Sequence, residues 1–294
     1  MVPRAFLMTW LRRAADPLSV PPTGDPGPMP ARRLSVEEYH RTVSDLLGID
    51  VDAAEAGLVD ERDESNRYGN LATALAVSPT LLEKLDAAAE RALDRLLGVE
   101  LSTAVDDAAA ERARQAREQL FGLKPNAWRK PEAPEDLDDG PEAARALLSR
   151  FLHLAHRRPV APAEVDAAIR LHDRAGGHLA GIRLGMKATL VSPSFLFRVE
   201  PPAGKGFQPV GDHARAARLS YFLWSTMPDA ALDAAADAGK LRDGPDLDAQ
   251  VSRMLADPRA RALTDVFAAS WLEYRRPAPA PSSSPTSTPR SAPR

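Results

Sequence analysis

The residues best able to do chemistry in this chain are its six histidines, because imidazole titrates near neutrality and binds metals in its neutral form. His153 and His156 stand three apart in a helical stretch, a spacing that puts both rings on one face within reach of a single ion. No carboxylate occupies a neighbouring helical position, and the charges of Arg157 and Arg158 oppose a cation. The pair reads as part of an ordinary helix face. His172-Asp173 and His178 flank Gly176-Gly177 and suggest an acid–base pair. Adjacent helical residues do not face each other, however, and the helix dipole accounts for a histidine in a last turn.

Arg157, Arg158, Arg183 and Arg198 make a candidate anion-binding cluster, if the chain folds them together. The competing arrangement is separate ion pairs with the abundant Asp and Glu. Tyr221, Phe222, Trp224 and Trp271 are pocket candidates, but their helical spacing favours a place in the core. The sequence has no Gly-rich phosphate loop, nucleophile elbow or acidic metal cluster. It therefore offers no catalytic, cofactor-binding or metal-ligating set, only the four arginines as a site.

The chain has no cysteine, which removes disulfides, thiol nucleophiles, Cys-ligated zinc, Fe–S clusters and covalently attached haem. A net charge of −3, from 38 basic and 41 acidic residues, gives no nucleic-acid-binding signature. The first residues hold only a short apolar run, Ala5-Phe6-Leu7-Met8, where a signal peptide needs about 7–15. No stretch approaches the ~20 apolar residues of a membrane span.

The elements that must position these side chains are helices throughout. A Pro/Gly linker at 17–30 closes an N-terminal segment. Ser35 and Glu38 form a capping box before Tyr39, Val43, Leu46 and Leu47, and Gly48 ends that helix. After a polar loop, Ser78-Pro79 opens a helix with Leu81, Leu82, Leu85, Ala88, Leu93, Leu96 and Leu97 on one face. An exposed helix over 104–120 and a Pro/Asp-rich loop over 124–141 follow. Helices over 142–156, 163–175 and 179–190 come next, the first ended by Pro159 and Pro162.

The punctuation is densest from Asp212 onward. Asp212 is a cap, Pro228 a first helical position and Gly239 a terminator. Asp246 and Leu247 begin a helix with Leu247, Val251, Met254 and Leu255 on one side. Asp257-Pro258 opens the longest helix, whose Leu263, Val266, Phe267, Trp271 and Tyr274 share an α-helical face. The Pro/Ser tail from 277 reads as disordered. The expectation is an all-α fold of three small modules, at 31–98, 141–200 and 210–274, with 99–140 connecting and 275–294 as tail.

Three stretches carry a resemblance. Arg32-Arg33-Leu34-Ser35-Val36-Glu37-Glu38-Tyr39 with Val77-Ser78-Pro79 forms the first. Arg157-Arg158-Pro159-Val160 with Leu190-Val191-Ser192-Pro193-Ser194-Phe195-Leu196-Phe197-Arg198 forms the second. The third is Ala217-Arg218-Leu219-Ser220-Tyr221-Phe222-Leu223-Trp224-Ser225-Thr226-Met227-Pro228-Asp229 with Met254-Leu255-Ala256-Asp257-Pro258-Arg259-Ala260. In this order they resemble a planctomycete-type family of consecutive domains of unknown function that accompany cytochrome c domains.

The resemblance implies a periplasmic or exported multidomain protein, with haem c only in modules outside this chain and with c-type cytochrome modules or envelope components as partners. A non-catalytic structural or interaction region is the first expectation. A fragment of a haem-dependent oxidoreductase and an envelope or polysaccharide-binding protein are the alternatives. The family pattern continues beyond Trp271 where this chain turns to Pro and Ser, so a truncated or frameshifted gene product is expected. Its last helix should then expose apolar surface.

Overall fold

A computed structural model describes residues 31–51, 57–58, 72, 75–97, 120, 140–198, 210–242 and 244–272. The linker at 17–30, the helix expected over 104–119, most of the loop at 124–141, Tyr274 and the Pro/Ser tail lie outside these residues. Among the described residues the fold is helical, with a single two-stranded ladder. No helix among them is long and apolar enough to cross a membrane.

β1 (Arg32–Arg33) leads into α1 (Val36–Leu47). The capping box is complete: Glu38 N–H donates to Ser35 Oγ at 3.2 Å and Ser35 N–H to Glu38 Oε2 at 2.9 Å. Gly48 ends the helix at φ 64°, a conformation that costs other residues more. α2 (Pro79–Leu97) starts with Ser78 Oγ accepting from Leu81 N–H at 3.1 Å. It buries Leu85, Ala88, Leu93, Leu96 and Leu97, whereas Leu82 stays 43% exposed.

α3 (Pro141–His156), α4 (Pro162–Asp173) and α5 (His178–Leu190) pack on one another, and α5 also packs on α2. Arg157, in the left-handed conformation at φ 57°, ends α3. Pro162 opens α4 instead of terminating α3, since its missing N–H is harmless at a first helical position. The approach of α5 to α4 and α3 depends on two small residues one turn apart. A Cβ on Gly181 would sit 2.8 Å from the His172 carbonyl oxygen, and one on Gly185 would sit 2.9 Å from Leu148 Cδ2. The single turn α6 (Pro193–Leu196), capped by Ser192, then delivers β2 (Phe197–Arg198), which pairs antiparallel with β1.

α7 (Asp212–Leu223) is capped by Gly211, so Asp212 is its first residue and not its cap. Asp229 caps α8 (Ala230–Asp237), its Oδ1 accepting from Leu232 N–H at 3.0 Å, and Pro228 therefore precedes the cap. Gly239 at φ 68° closes this helix, with the Gly239 and Lys240 N–H groups returning to Ala236 and Ala235. α9 (Pro245–Ala256) begins at Pro245, and Leu255, expected on its buried side, is 53% exposed.

The long final α-helix is corrected by the structure. A 3₁₀ turn at Pro258–Ala260 precedes a π-helical stretch, Leu263–Ala268, and α geometry returns at Ala269–Trp271. The wider i→i+5 bonds shift the helix phase. Leu263 packs on the core, while Phe267 and Trp271 are 44% and 62% exposed.

The first six helices share one core, built around Tyr39, Leu47, Leu93, Phe151, Met186 and Phe195, which Tyr221 and Met227 enter from the last third of the chain. A smaller second core gathers Leu223, Trp224, Leu232, Leu241 and Met254.

Candidate anion-binding cleft

The β1–β2 ladder sets Arg32 opposite Arg198 and Arg33 opposite Phe197. Two like charges face each other across the strands, which is unfavourable without a counter-charge. Arg32 has one: it pairs with Glu38, whose position the capping box has already set. Arg33 is buried, with Nε donating to the Leu75 carbonyl at 3.2 Å and Nη1 to the Leu34 carbonyl at 2.7 Å.

Arg198 forms no ion pair among the described residues. Its guanidinium lies 5.0 Å from the centre of the Tyr221 ring, and its buried Nε has no hydrogen-bond partner. Burial, and then the charges of Arg32 and Arg157, pull it below the usual arginine range against Glu38. An arginine stays charged nonetheless.

Arg157 reaches the same tyrosine from the other direction. Its Nη1 donates to Tyr221 Oη at 3.1 Å, and its Nη2 to the carbonyls of Ser194, Phe195 and Phe197 at 3.2, 2.8 and 3.3 Å. Tyr221 Oη also hydrogen-bonds Thr42 Oγ1 at 2.9 Å. One buried node thus ties α1, the end of α3, the α6–β2 segment and α7 together.

Beside it opens a cleft of about 610 Å³. Arg32, Arg198 and Arg218 form its basic side, and Phe222, Val266 and Phe267 its apolar side. Glu37 and Glu38 also line it but are occupied, by Arg41 and Arg32 respectively. The apolar side continues outward, since Phe222 and Phe267 lie 6.4 Å apart and Phe267 stacks on Trp271 at 6.2 Å. A second, smaller cleft of about 270 Å³ lies near Asp45 and Trp224. Burial raises the Asp45 carboxyl despite the hydrogen bond that Thr226 Oγ1 donates to it at 2.7 Å.

Of the four arginines in the sequence cluster, the structure brings only Arg157 and Arg198 together. Arg158 holds Glu164 through two hydrogen bonds of 3.0 and 2.8 Å. Arg183 pairs with Glu90 and Asp94, beside Lys187 on Asp86 and Glu90, so that α5 is fastened to α2. The aromatic set divides as well. Tyr221 and Trp224 are buried, while Phe222 and Trp271, expected in the core, are 60% and 62% exposed. Arg32 and Arg218 were not singled out in the sequence because only strand pairing and the α7 crossing bring them to Arg198.

The histidines also separate. His172 Nδ1 meets Asp173 at 3.1 Å and its Nε2 meets His178 Nδ1 at 3.2 Å, because the α4 end and the Gly176-Gly177 turn return His178 to it. His153 turns to Asp233. His156 is buried, with Nδ1 3.4 Å from Glu164 Oε1 and neither ring nitrogen hydrogen-bonded among the described residues.

Desolvation outweighs Glu164 and brings the His156 pKa down to about 4, so the ring is neutral at pH 7. Between pH 6.5 and 4 the unfolded chain takes a proton that the folded chain refuses. Stability is therefore whole above pH 6.5 and falls as pH drops toward 4, by about 3 kcal/mol in total from this group. In urea titrations at a series of pH values, His156→Leu should flatten that slope; an unchanged slope would assign it to other groups.

The matches to known families follow the same order as the helices. Residues 32–98 match PSD3, a protein of unknown function (DUF1587). Residues 143–200 match PSD5, a protein of unknown function (DUF1595). Residues 210–291 match PSD4, a protein of unknown function (DUF1592). Three consecutive domains of unknown function are thus found along the chain. The PSD4 match runs to residue 291, across the Pro/Ser stretch. No curated protein and no solved structure gives a significant match. In these terms the PSD3 and PSD5 domains share the large core, the PSD4 domain has the small one, and the basic cleft draws residues from all three.

Proposed function

We propose that this chain is a non-catalytic structural and interaction region of an exported, cytochrome-c-linked multidomain protein, and that its cleft receives a carboxylate of a partner domain. The cytochrome link rests on the sequence resemblance. The interaction role rests on Arg198, a half-buried cation without a carboxylate partner among the described residues, set in a wall of three arginines next to exposed aromatic rings. An acidic group beside an apolar side chain matches that surface in both charge and hydropathy.

The test is a binding titration of the chain with a separately produced haem-bearing c-type domain. Arg198→Glu should weaken association by at least roughly tenfold, or ~1.4 kcal/mol, and added salt should weaken the native pair. Arg158→Glu, away from the cleft, should leave it intact. Absence of binding, or equal binding by Arg198→Glu, would remove this reading.

A further inference from the structure

The PSD5 and PSD4 domains meet at a second cluster, made of two histidines and two carboxylates from three helices. His153 on α3 has Nε2 2.8 Å from Asp233 Oδ2, and His213 on α7 has Nε2 2.9 Å from Asp237 Oδ1. The two imidazole rings cross at 88° with centres 6.3 Å apart. One ligand atom each from His153, Asp233 and Asp237 lies within 4.8 Å of the others. Asp233 and Asp237 stand one turn apart on the same face of α8, where two like charges repel. A cation between them would remove that repulsion.

We propose that this cluster is a divalent transition-metal site, with Zn²⁺ as the first candidate, that joins the PSD5 and PSD4 domains. His153 Nε2, Asp233 and Asp237 are the ligands. His213 is a positioning residue: it holds one oxygen of Asp237 and leaves the other for the ion, the usual arrangement around a ligating carboxylate. Imidazole nitrogen favours zinc and its neighbours over magnesium or calcium. The side chains of His153, Asp233 and His213 are 25%, 18% and 21% exposed, and that of Asp237 is 55% exposed. The ion would therefore enter from the Asp237 side and keep water in its fourth position. A tetrahedral shell with bonds of ~2.05 Å spaces its ligand atoms by roughly 3.3 Å. The His153–Asp233 pair, now at 2.8 Å, therefore opens slightly as the ion displaces its shared proton, and Asp237 closes in from within 4.8 Å.

The competing arrangement is two plain hydrogen-bonded pairs that lock the domains without an ion. Chelator-treated full chain, titrated with Co²⁺ and then with Zn²⁺, separates the two. One Co²⁺ per chain should give a visible tetrahedral absorption that Zn²⁺ abolishes. Zn²⁺ at a hundredfold excess over its Kd should raise Tm by roughly 5–10 °C. Asp237→Asn, at the most exposed ligand, should retain the helical circular dichroism yet lose at least ~100-fold in Zn²⁺ affinity, and His213→Gln should lose ~10–100-fold. His172→Ala, which breaks the other histidine pair, should change neither signal. Absence of the Co²⁺ band and the Tm shift in the native chain would overturn the site. So would full Zn²⁺ affinity in a folded Asp237→Asn, or loss of binding in His172→Ala.

Discussion

Replacing Arg157 with methionine should destabilise the chain by about 3–5 kcal/mol, the range expected when several buried acceptors lose one shared donor. The side chain is buried, and its guanidinium donates to Tyr221 Oη and to three carbonyls in the α6–β2 segment. Methionine fills much of the volume but leaves those acceptors without a donor, at about 1–3 kcal/mol for each that stays unsatisfied. The backbone conformation contributes little to the difference, because neither residue favours φ 57°.

The same node gives a graded control. Tyr221→Phe deletes the hydroxyl that meets both Arg157 and Thr42, and should cost about 1–3 kcal/mol. A double-mutant cycle in urea should show the two changes to be non-additive, since they remove a shared bond. A loss below ~1 kcal/mol for Arg157→Met would mean that Arg157 is peripheral, and that apolar packing and the other polar pairs, such as Arg183–Asp94 and Thr226–Asp45, join the three domains.

Trp224→Ala should cost about 3–5 kcal/mol as well, the range for emptying a buried aromatic site, and the damage should be local. Trp224 is fully buried in the small core, and its Nε1–H donates to the Met254 carbonyl at 2.9 Å, which holds α7 to α9. The Arg259 guanidinium lies 3.7 Å from the centre of the ring system, with Arg253 at 5.6 Å. Both arginines bond Asp229, the cap of α8, and Arg259 also bonds Asp257, the cap of the 3₁₀ turn. Burial alone would raise the Asp229 carboxyl, but the hydrogen bonds from Arg253, Leu232 N–H and Arg259 hold it below the ordinary range. Losing the indole removes the surface on which this network rests.

Limited proteolysis of Trp224→Ala should cut first within residues 210–272 and leave a fragment that contains the PSD3 and PSD5 domains. That outcome follows from the separation of the two cores: among the described residues of the last third, Tyr221, Met227 and the partly buried Ala217 pack on the large one. Simultaneous loss of helix in all three domains would show that the cores unfold as one unit. Trp224→Phe, which keeps an aromatic ring but loses the N–H, should fall between the native chain and the alanine variant.

Helix identity and most helix ends were legible because capping is local. Ser35 and Glu38, Ser78, Gly48 and Gly239 each act on partners a few residues away, and each takes the role its type implies. Errors of one or two residues arose at Asp212, Pro228 and Asp246, where the cap was misplaced next to a proline or glycine. The break in the last helix was not legible. Leu263, Val266, Phe267 and Trp271 fit an α-helical face as letters, and nothing in that periodicity distinguishes α from π hydrogen bonding.

The candidate sites divide along the same line. The sequence by itself determined the all-helical class, the order of the three domains and the exclusion of cysteine chemistry, since these depend on composition and short-range pattern. Only the tertiary structure decided which charges meet. Arg158 finds Glu164 six residues away, whereas Arg183 finds Asp94 across 89 residues, His153 finds Asp233 across 80 and Thr42 finds Tyr221 across 179. A side chain's partner at such separations is chosen by how helices cross. That crossing follows from the packing of whole faces, including the two glycines of α5, and no spacing between the reacting residues encodes it.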